Sequence, residues 1–359
     1  MGPKPLPNVL EIKPYVPGLA AEKGYKLSSN ENPLGYSPAV REVLASGLDH
    51  METYPDGGSN LLRSAIAERY GLSADRIVCG AGSDEIFQLL ARAYLSAGDE
   101  IIQSEHGFLV YQLVAQQSGA KTVSVPDIDM TTDVDGILAA VTEKTKIVFV
   151  ANPNNPTGTY LPFDEIKRLH AGLPEDVLLV LDAAYAEYVV KNDYASGMEM
   201  AGSFENVLMT RTFSKIHGLA ALRLGWAYGP AAVIDAINRV RGPFNVSYLA
   251  QIAGIAALKD EGFMDKSAEF NKRELARLSE ALSNLGLTVF PSVANFILVE
   301  FQSSGDYTAD KAYAFLRENG LIVRDVKSYN LPDCLRISIG VKEANDQIIS
   351  VLSQFMAGR

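Results

Sequence analysis

Cysteine is almost missing from this chain: Cys79 and Cys334 are the only two in 359 residues, far apart in sequence. No disulfide framework is expected, and a reducing cytoplasm fits. Histidine is scarce too, with four scattered residues, so no metal-ligand spacing appears. No apolar run approaches the roughly 20 residues that cross a bilayer. The opening Met1-Gly2-Pro3-Lys4-Pro5-Leu6-Pro7 lacks an apolar core, so no secretory signal is expected there. A basic balance is also absent. The formal net charge of -11 argues against non-specific nucleic-acid binding.

The composition is otherwise that of an ordinary globular protein, with 47% apolar and 21% charged residues. A chain of 359 residues is too long for one compact core, so two domains are expected. Residues 1–30 read as an extended arm punctuated by Pro14, Pro17 and Gly18. Short apolar runs at 76–80, 100–103, 121–125, 146–150, 177–181, 207–210 and 225–228 then alternate with helix-like stretches. Near-continuous apolar strands separated by helices predict a parallel sheet buried on both faces, with right-handed crossovers.

After Pro243 the pattern changes. An Ala- and Ile-rich helix is expected over 248–258, and Leu275, Leu278, Leu282 and Leu285 mark one face of another. Strand-like segments at 287–290, 295–301, 321–325 and 335–339, with helices at 309–318 and 344–355, predict a smaller α+β domain.

The chemistry concentrates in a few strings. Lys215 stands in Arg211-Thr212-Phe213-Ser214-Lys215-Ile216-His217-Gly218, with Arg223 eight residues on. An isolated lysine is usually a solvated surface charge. This one sits between apolar residues just after a predicted strand. Asp182 ends the apolar run Val177-Leu178-Leu179-Val180-Leu181, where an unpaired carboxylate is costly. Gly80-Ala81-Gly82-Ser83-Asp84-Glu85 follows a strand and opens a helix, where free amides and the helix dipole favour an anion. An amine able to form a Schiff base, a carboxylate and a phosphate clamp are together the equipment that pyridoxal phosphate requires.

With Asn152-Pro153-Asn154-Asn155-Pro156-Thr157-Gly158 and Asp182-Ala183-Ala184-Tyr185, these strings resemble the aminotransferases of the aspartate-aminotransferase superfamily. Within it, the chain is most similar to the histidinol-phosphate aminotransferases, over residues 8 to 355. The resemblance implies the following fold and domains. A large domain at 31–243 carries a mostly parallel seven-stranded sheet covered by helices. A small α+β domain follows at 244–359, and the arm 1–30 packs on the small domain.

The resemblance also implies roles. Lys215 holds the cofactor and moves a proton between the substrate Cα and the cofactor. Thr212, Ser214 and Arg223, with Gly82, Ser83 and Asp84, form the phosphate cup. Asp182 faces the pyridine nitrogen, and Tyr185 and Asn155 contact the 3′-oxygen. Phe108 stands where relatives stack an aromatic ring, in His106-Gly107-Phe108 where they often have Pro-Thr-Tyr. Phenylalanine can still stack but cannot donate a hydrogen bond. Tyr111 reads as core packing, while His106 and His217 have no assigned task. Tyr54 resembles a tyrosine that reaches the partner's cofactor phosphate, which implies a homodimer with shared sites.

For the substrate, Arg336 matches the arginine that pairs with an α-carboxylate, such as that of glutamate. Asn30 lies in another family string, Ser28-Ser29-Asn30-Glu31-Asn32-Pro33. Arg324 and Tyr15 match residues that contact a substrate phosphate. The implied substrates are histidinol phosphate, glutamate and 2-oxoglutarate. An aromatic amino-acid aminotransferase and a phosphothreonine decarboxylase of the same fold stay open as alternatives.

Overall fold

A computed structural model of the chain describes residues 2–14 and 24–357. Tyr15 therefore lies outside the described residues. Strand β1 (Tyr25–Lys26) belongs to the N-terminal arm. A seven-stranded sheet follows, from β2 (Ile77–Gly80), β3 (Glu100–Ser104), β4 (Lys121–Val125), β5 (Thr145–Ala151), β6 (Leu178–Asp182), β7 (Val207–Thr212) and β8 (Gly225–Tyr228). Its order is β2-β8-β7-β6-β5-β3-β4. Only β8 runs against its neighbours, so the sheet is mostly parallel.

The apolar runs explain this sheet directly. Successive side chains on a strand point to opposite faces. Ile147 and Phe149 of β5, with Leu178 and Val180 of β6, enter one core. Val148, Val150, Leu179 and Leu181 enter the other. Helices Ser83–Tyr94, Leu109–Gln117 and Ala231–Val240 close the first core, while Asn60–Tyr70, Phe163–Gly172 and Tyr248–Lys259 close the second. Each such fully buried aliphatic residue contributes about 1.5–3 kcal/mol. The carboxyl ends of the parallel strands converge on one rim, where open α/β sheets place their ligands.

A second unit contains β9 (Thr288–Val289), β10 (Phe296–Glu300), β12 (Arg324–Asp325) and β13 (Cys334–Ser338) in the order β12-β13-β10-β9. Strand β11 (Leu321–Ile322) pairs with β1 instead. The single strand expected over 321–325 is thus two short strands with different partners, separated at the buried Val323. Helices Glu261–Asn284, Ala309–Glu318 and Lys342–Met356 supply Leu278, Leu282, Leu316, Ile348 and Leu352 to this core.

Two expected boundaries differ in space. Helix Tyr248–Lys259 follows Pro243 but buries Ala250, Ala253 and Ala257 in the larger unit. Small side chains let it lie close against helices Pro38–Gly47 and Asn60–Tyr70. The arm is divided as well. Among its described residues, those of β1 pair with the smaller unit. Helix Pro7–Leu10 instead lies on Leu109–Gln117 of the larger unit. There Asn8 Nδ2 donates to the Gln116 and Gln117 carbonyls at 2.9 and 3.1 Å, at the end of that helix.

Among the described residues, no helix is long and apolar enough to cross a membrane. Nor does any group of three or more His, Cys, Asp or Glu come together to hold a metal ion.

Candidate active site

The rim encloses a cavity of about 350 Å³, lined among others by Asp84, Phe108, Asn155, Asp182, Tyr185 and Lys215. Lys215 follows β7 in a turn closed by the Gly218 amide, which donates to the Lys215 carbonyl at 3.0 Å. Gly218 has φ +69, and a Cβ there would meet the Gly35 carbonyl oxygen at 1.8 Å. Only glycine fits that crossing. Lys215 Nζ donates to the Ser29 carbonyl at 3.2 Å and lies over the Tyr185 ring. Burial first, then the Arg336 and Arg223 guanidinium groups, pull its amine down to about 8. Roughly a tenth is therefore neutral and nucleophilic at pH 7, far more than for an ordinary lysine.

Asp182 ends β6 beside Ala151 of β5 and Thr210 of β7. Its carboxylate accepts from the Tyr111 hydroxyl at 2.6 Å and from Thr210 Oγ1 at 3.2 Å. No cation bonds it among the described residues. Burial pushes it up to about 6 despite both hydrogen bonds. Tyr111 also stacks on Phe149 at 4.5 Å, and Phe108 meets the Tyr111 ring edge at 5.7 Å. The packing expected of Tyr111 is present. The hydroxyl's bond to Asp182 is an additional role that its helical spacing did not reveal.

Burial pushes the Tyr185 hydroxyl up to about 12, so it stays neutral. It accepts from Asn30 Nδ2 at 2.9 Å. Asn30 is only 1% exposed and does not line the cavity itself. Its backbone has φ +56, a conformation asparagine tolerates better than most residues. Ser338 Oγ accepts the Asn30 amide proton and donates to Asn30 Oδ1. Asn30 therefore braces Tyr185 from beneath. Ser29 and Glu31, its neighbours in the same string, do line the cavity. Their membership of that string was the only signal that could have found them.

At the opposite end, helix Ser83–Tyr94 starts from Gly82, which has φ +83. A Cβ on Gly82 would stand 2.6 Å from Arg223 Nη2, so a side chain there would fill the cradle. Thr212 and Ser214 line the same region, and the Ser214 amide donates to Thr212 Oγ1 at 3.1 Å. Arg223 donates to the Ala220 carbonyl at 3.0 Å and reaches Ser214 Oγ and Asp84 only at 3.4 Å. The donor set is that of an anion seat.

Arg336 lies in β13, opposite Arg324 of β12. Arg336 is buried, and its bonds go to neutral oxygens: Asn155 Oδ1 at 2.5 Å and the Ser28 carbonyl at 2.6 Å. Its Nε has no hydrogen-bond partner among the described residues. Burial lowers its pKa, and Arg324 acts in the same direction. A buried guanidinium without a carboxylate is a receptor for one.

Tyr54 does not reach this cavity in its own chain. It is 82% exposed and stacks on Phe244 at 4.6 Å. The two line a separate apolar hollow with His50, Met51 and Tyr248. The His106 imidazole Nδ1 is 2.7 Å from the Tyr329 carbonyl, and His217 is buried beside Phe213.

The cavity thus combines an activated lysine, a buried carboxylate and an anion seat at the rim of a mostly parallel sheet, with Arg336 of the smaller sheet behind its lining residue Asn155. That arrangement defines a Schiff-base site for an amine substrate. The family model for aminotransferase class I and II matches residues 22–352, and the chain belongs to that family. Histidinol-phosphate aminotransferase of Rhodopseudomonas palustris (strain HaA2) is 53% identical over 360 residues, covering 99% of each chain. That of Nitrobacter hamburgensis is 52% identical over the same extent. The crystal structure of the Sinorhizobium meliloti histidinol-phosphate aminotransferase, in complex with pyridoxal-5′-phosphate, superimposes with a TM-score of 0.90 at 28% identity. The match covers 98% of this chain and 97% of that one.

Proposed function

We propose that the chain binds pyridoxal phosphate in the Lys215 cavity. There it transfers an amino group between glutamate and imidazole-acetol phosphate, yielding 2-oxoglutarate and histidinol phosphate, a step of histidine synthesis. The observation that carries the substrate is the Arg336–Arg324 register, two arginines opposite each other on neighbouring strands, neither bonded to a carboxylate among the described residues. Arg336 suits the α-carboxylate of glutamate and Arg324 the phosphate of the second substrate. The relatives at 52–53% identity favour this assignment over the aromatic aminotransferase and the decarboxylase.

The donor set fits the cofactor: an anion seat at one end, a buried carboxylate at the other, and an amine between. When bound, pyridoxal phosphate supplies the electron sink that a carbanion at the substrate Cα needs, which no side chain can provide. Arg223, Ser214 and Thr212, with the first amides of helix Ser83–Tyr94, would hold the phosphate. Asp182 would hold the proton on the pyridine nitrogen. Tyr185 and Asn155 would hydrogen-bond the ring oxygen, and Phe108 would cover the ring face. Lys215 would hold the cofactor through its amine and, once released, would hold and move the proton at the substrate Cα.

The test is a spectral titration of the loaded protein, without an acceptor, first with histidinol phosphate and then with phenylalanine. Fast loss of the cofactor's visible band with histidinol phosphate, and a weak response to phenylalanine, is the expected result. A preference for phenylalanine would move the chain to the aromatic group, and carbon dioxide release would identify a decarboxylase.

Tyr54 supports a shared-site homodimer, because its exposed ring has no role within its own cavity. Mixing inactive Lys215→Ala chains with Tyr54→Ala chains should then restore one complete site per mixed dimer. Activity of the mixture above the sum of the separate proteins is expected. Simple additivity would show that Tyr54 serves no neighbouring site.

A further inference from the structure

The phosphate seat has fewer free amides than Gly80-Ala81-Gly82-Ser83 suggests. The Ala81 N–H donates to Glu85 Oε2 at 2.6 Å, and the Gly82 N–H to the Gly80 carbonyl at 2.8 Å. What remains is the first turn of helix Ser83–Tyr94, whose leading amides lack intrahelical acceptors. Glu85 is the third residue of that helix. Its Oε2 also accepts from Asn245 Nδ2 at 2.8 Å. Asn245 Nδ2 donates in addition to the Cys79 carbonyl of β2 at 3.2 Å, and Asn245 Oδ1 accepts from Arg241 Nη1 at 3.3 Å.

By charge alone this arrangement is unfavourable, because a carboxylate beside an anion seat repels the anion. Its geometry offers the compensation. A glutamate at the third helical position commonly reaches back to a backbone amide and fixes how the chain enters the helix. Here the reach extends to the Ala81 peptide, just before Gly82, whose backbone passes beneath Arg223. That N–H belongs to the Gly80–Ala81 peptide, whose carbonyl accepts the Gly82 N–H; if the peptide turned, that bond would break and Gly82 would no longer be fixed beneath Arg223.

We infer that Glu85 and Asn245 are positioning residues for the phosphate seat. Glu85 holds the Ala81 peptide, and Asn245 holds Glu85 against β2. The inference rests on the reading that pyridoxal phosphate binds here.

Two substitutions separate charge from geometry. Glu85→Gln removes the charge but keeps an oxygen that can accept from both Ala81 and Asn245. Glu85→Ala removes the charge and the acceptor together. The apoproteins are titrated calorimetrically with pyridoxal phosphate and, separately, with inorganic phosphate. Glu85→Gln should bind both ligands at least as tightly as the unsubstituted chain. Glu85→Ala should bind both about tenfold more weakly, although it has lost a repelling charge. Equal or tighter binding by Glu85→Ala would overturn the inference, since a purely electrostatic role predicts that outcome.

Asn245→Ala should weaken binding in the same direction by a smaller factor. It decides the matter if Glu85→Ala fails to fold, and unchanged affinity would then overturn the proposal. An unsubstituted apoprotein that does not bind pyridoxal phosphate would instead overturn the underlying reading.

Discussion

Replacing Lys215 by alanine should lower turnover by roughly four orders of magnitude while leaving pyridoxal phosphate bound. The expectation follows from what surrounds the amine. Among the described residues, Lys215 Nζ makes one hydrogen bond, to the Ser29 carbonyl, and meets no carboxylate within ion-pair distance. It is held at the cavity by position, not by an ion pair. Removing it therefore leaves no buried carboxylate unpaired and should not unfold the chain. Most of the phosphate seat lies elsewhere, at Arg223 and the start of helix Ser83–Tyr94, so non-covalent cofactor affinity should persist.

Single-turnover kinetics of the loaded variant with histidinol phosphate would measure the loss. Turnover within tenfold of the unsubstituted enzyme would remove Lys215 from the mechanism. In the unsubstituted apoprotein, the rate of covalent cofactor attachment should rise with pH through about 8 and level off above it, because only the neutral amine attacks.

How far such roles can be read from sequence depends on how local their causes are. Asp182 was legible because a carboxylate ending a five-residue apolar strand has no ordinary reason to be there. Lys215, Asn155 and Arg223 were legible because their neighbours form specific strings. Tyr111 was not, since its partner Asp182 is 71 positions away and an aromatic residue at helical spacing looks like core. Asn30 was placed near the substrate, yet it acts through Tyr185 and through Ser338, 308 positions away. The seven large-sheet strands were legible because buried β-strands carry their own apolar runs. The allegiance of helix Tyr248–Lys259 was not, because an Ala-rich helix shows that it packs closely but not against which core. The phosphate turn misled in a subtler way. Its glycines mark the turn correctly, but nothing local says that Glu85 occupies one of the amides.

Asp182→Asn should separate stability from function most clearly. The carboxyl of the folded apoprotein titrates at about 6, above its ordinary 3.8, and burial is the main cause. The folded chain therefore keeps a proton where the unfolded chain has already lost it. Stability falls as pH rises from about 4 to about 6, and above that range the apoprotein carries a cost on the order of 3 kcal/mol. Asparagine has the same shape and no charge. Tyr111 and Thr210 carry hydroxyls that can rotate to meet its amide. The substituted apoprotein should be more stable than the unsubstituted one at pH 8, by up to about 3 kcal/mol, and the difference should vanish near pH 4.

Function should move the other way. The charge that is costly in the empty cavity is what a pyridinium N–H needs as a partner, and a neutral amide does not hold that proton. Turnover of the loaded variant should fall roughly 10²–10³-fold, the loss typical when one preorganised electrostatic partner is removed. Denaturant unfolding of the two apoproteins at pH 4 and pH 8, with steady-state rates of the loaded forms, tests both halves. If Asp182→Asn destabilises the apoprotein equally at both pH values, the buried carboxylate is a structural hydrogen-bond acceptor and not a strained, function-bearing charge. If stability rises while turnover falls, the cavity is built at the expense of the fold, with Asp182 held ready for a cation that the chain itself does not provide.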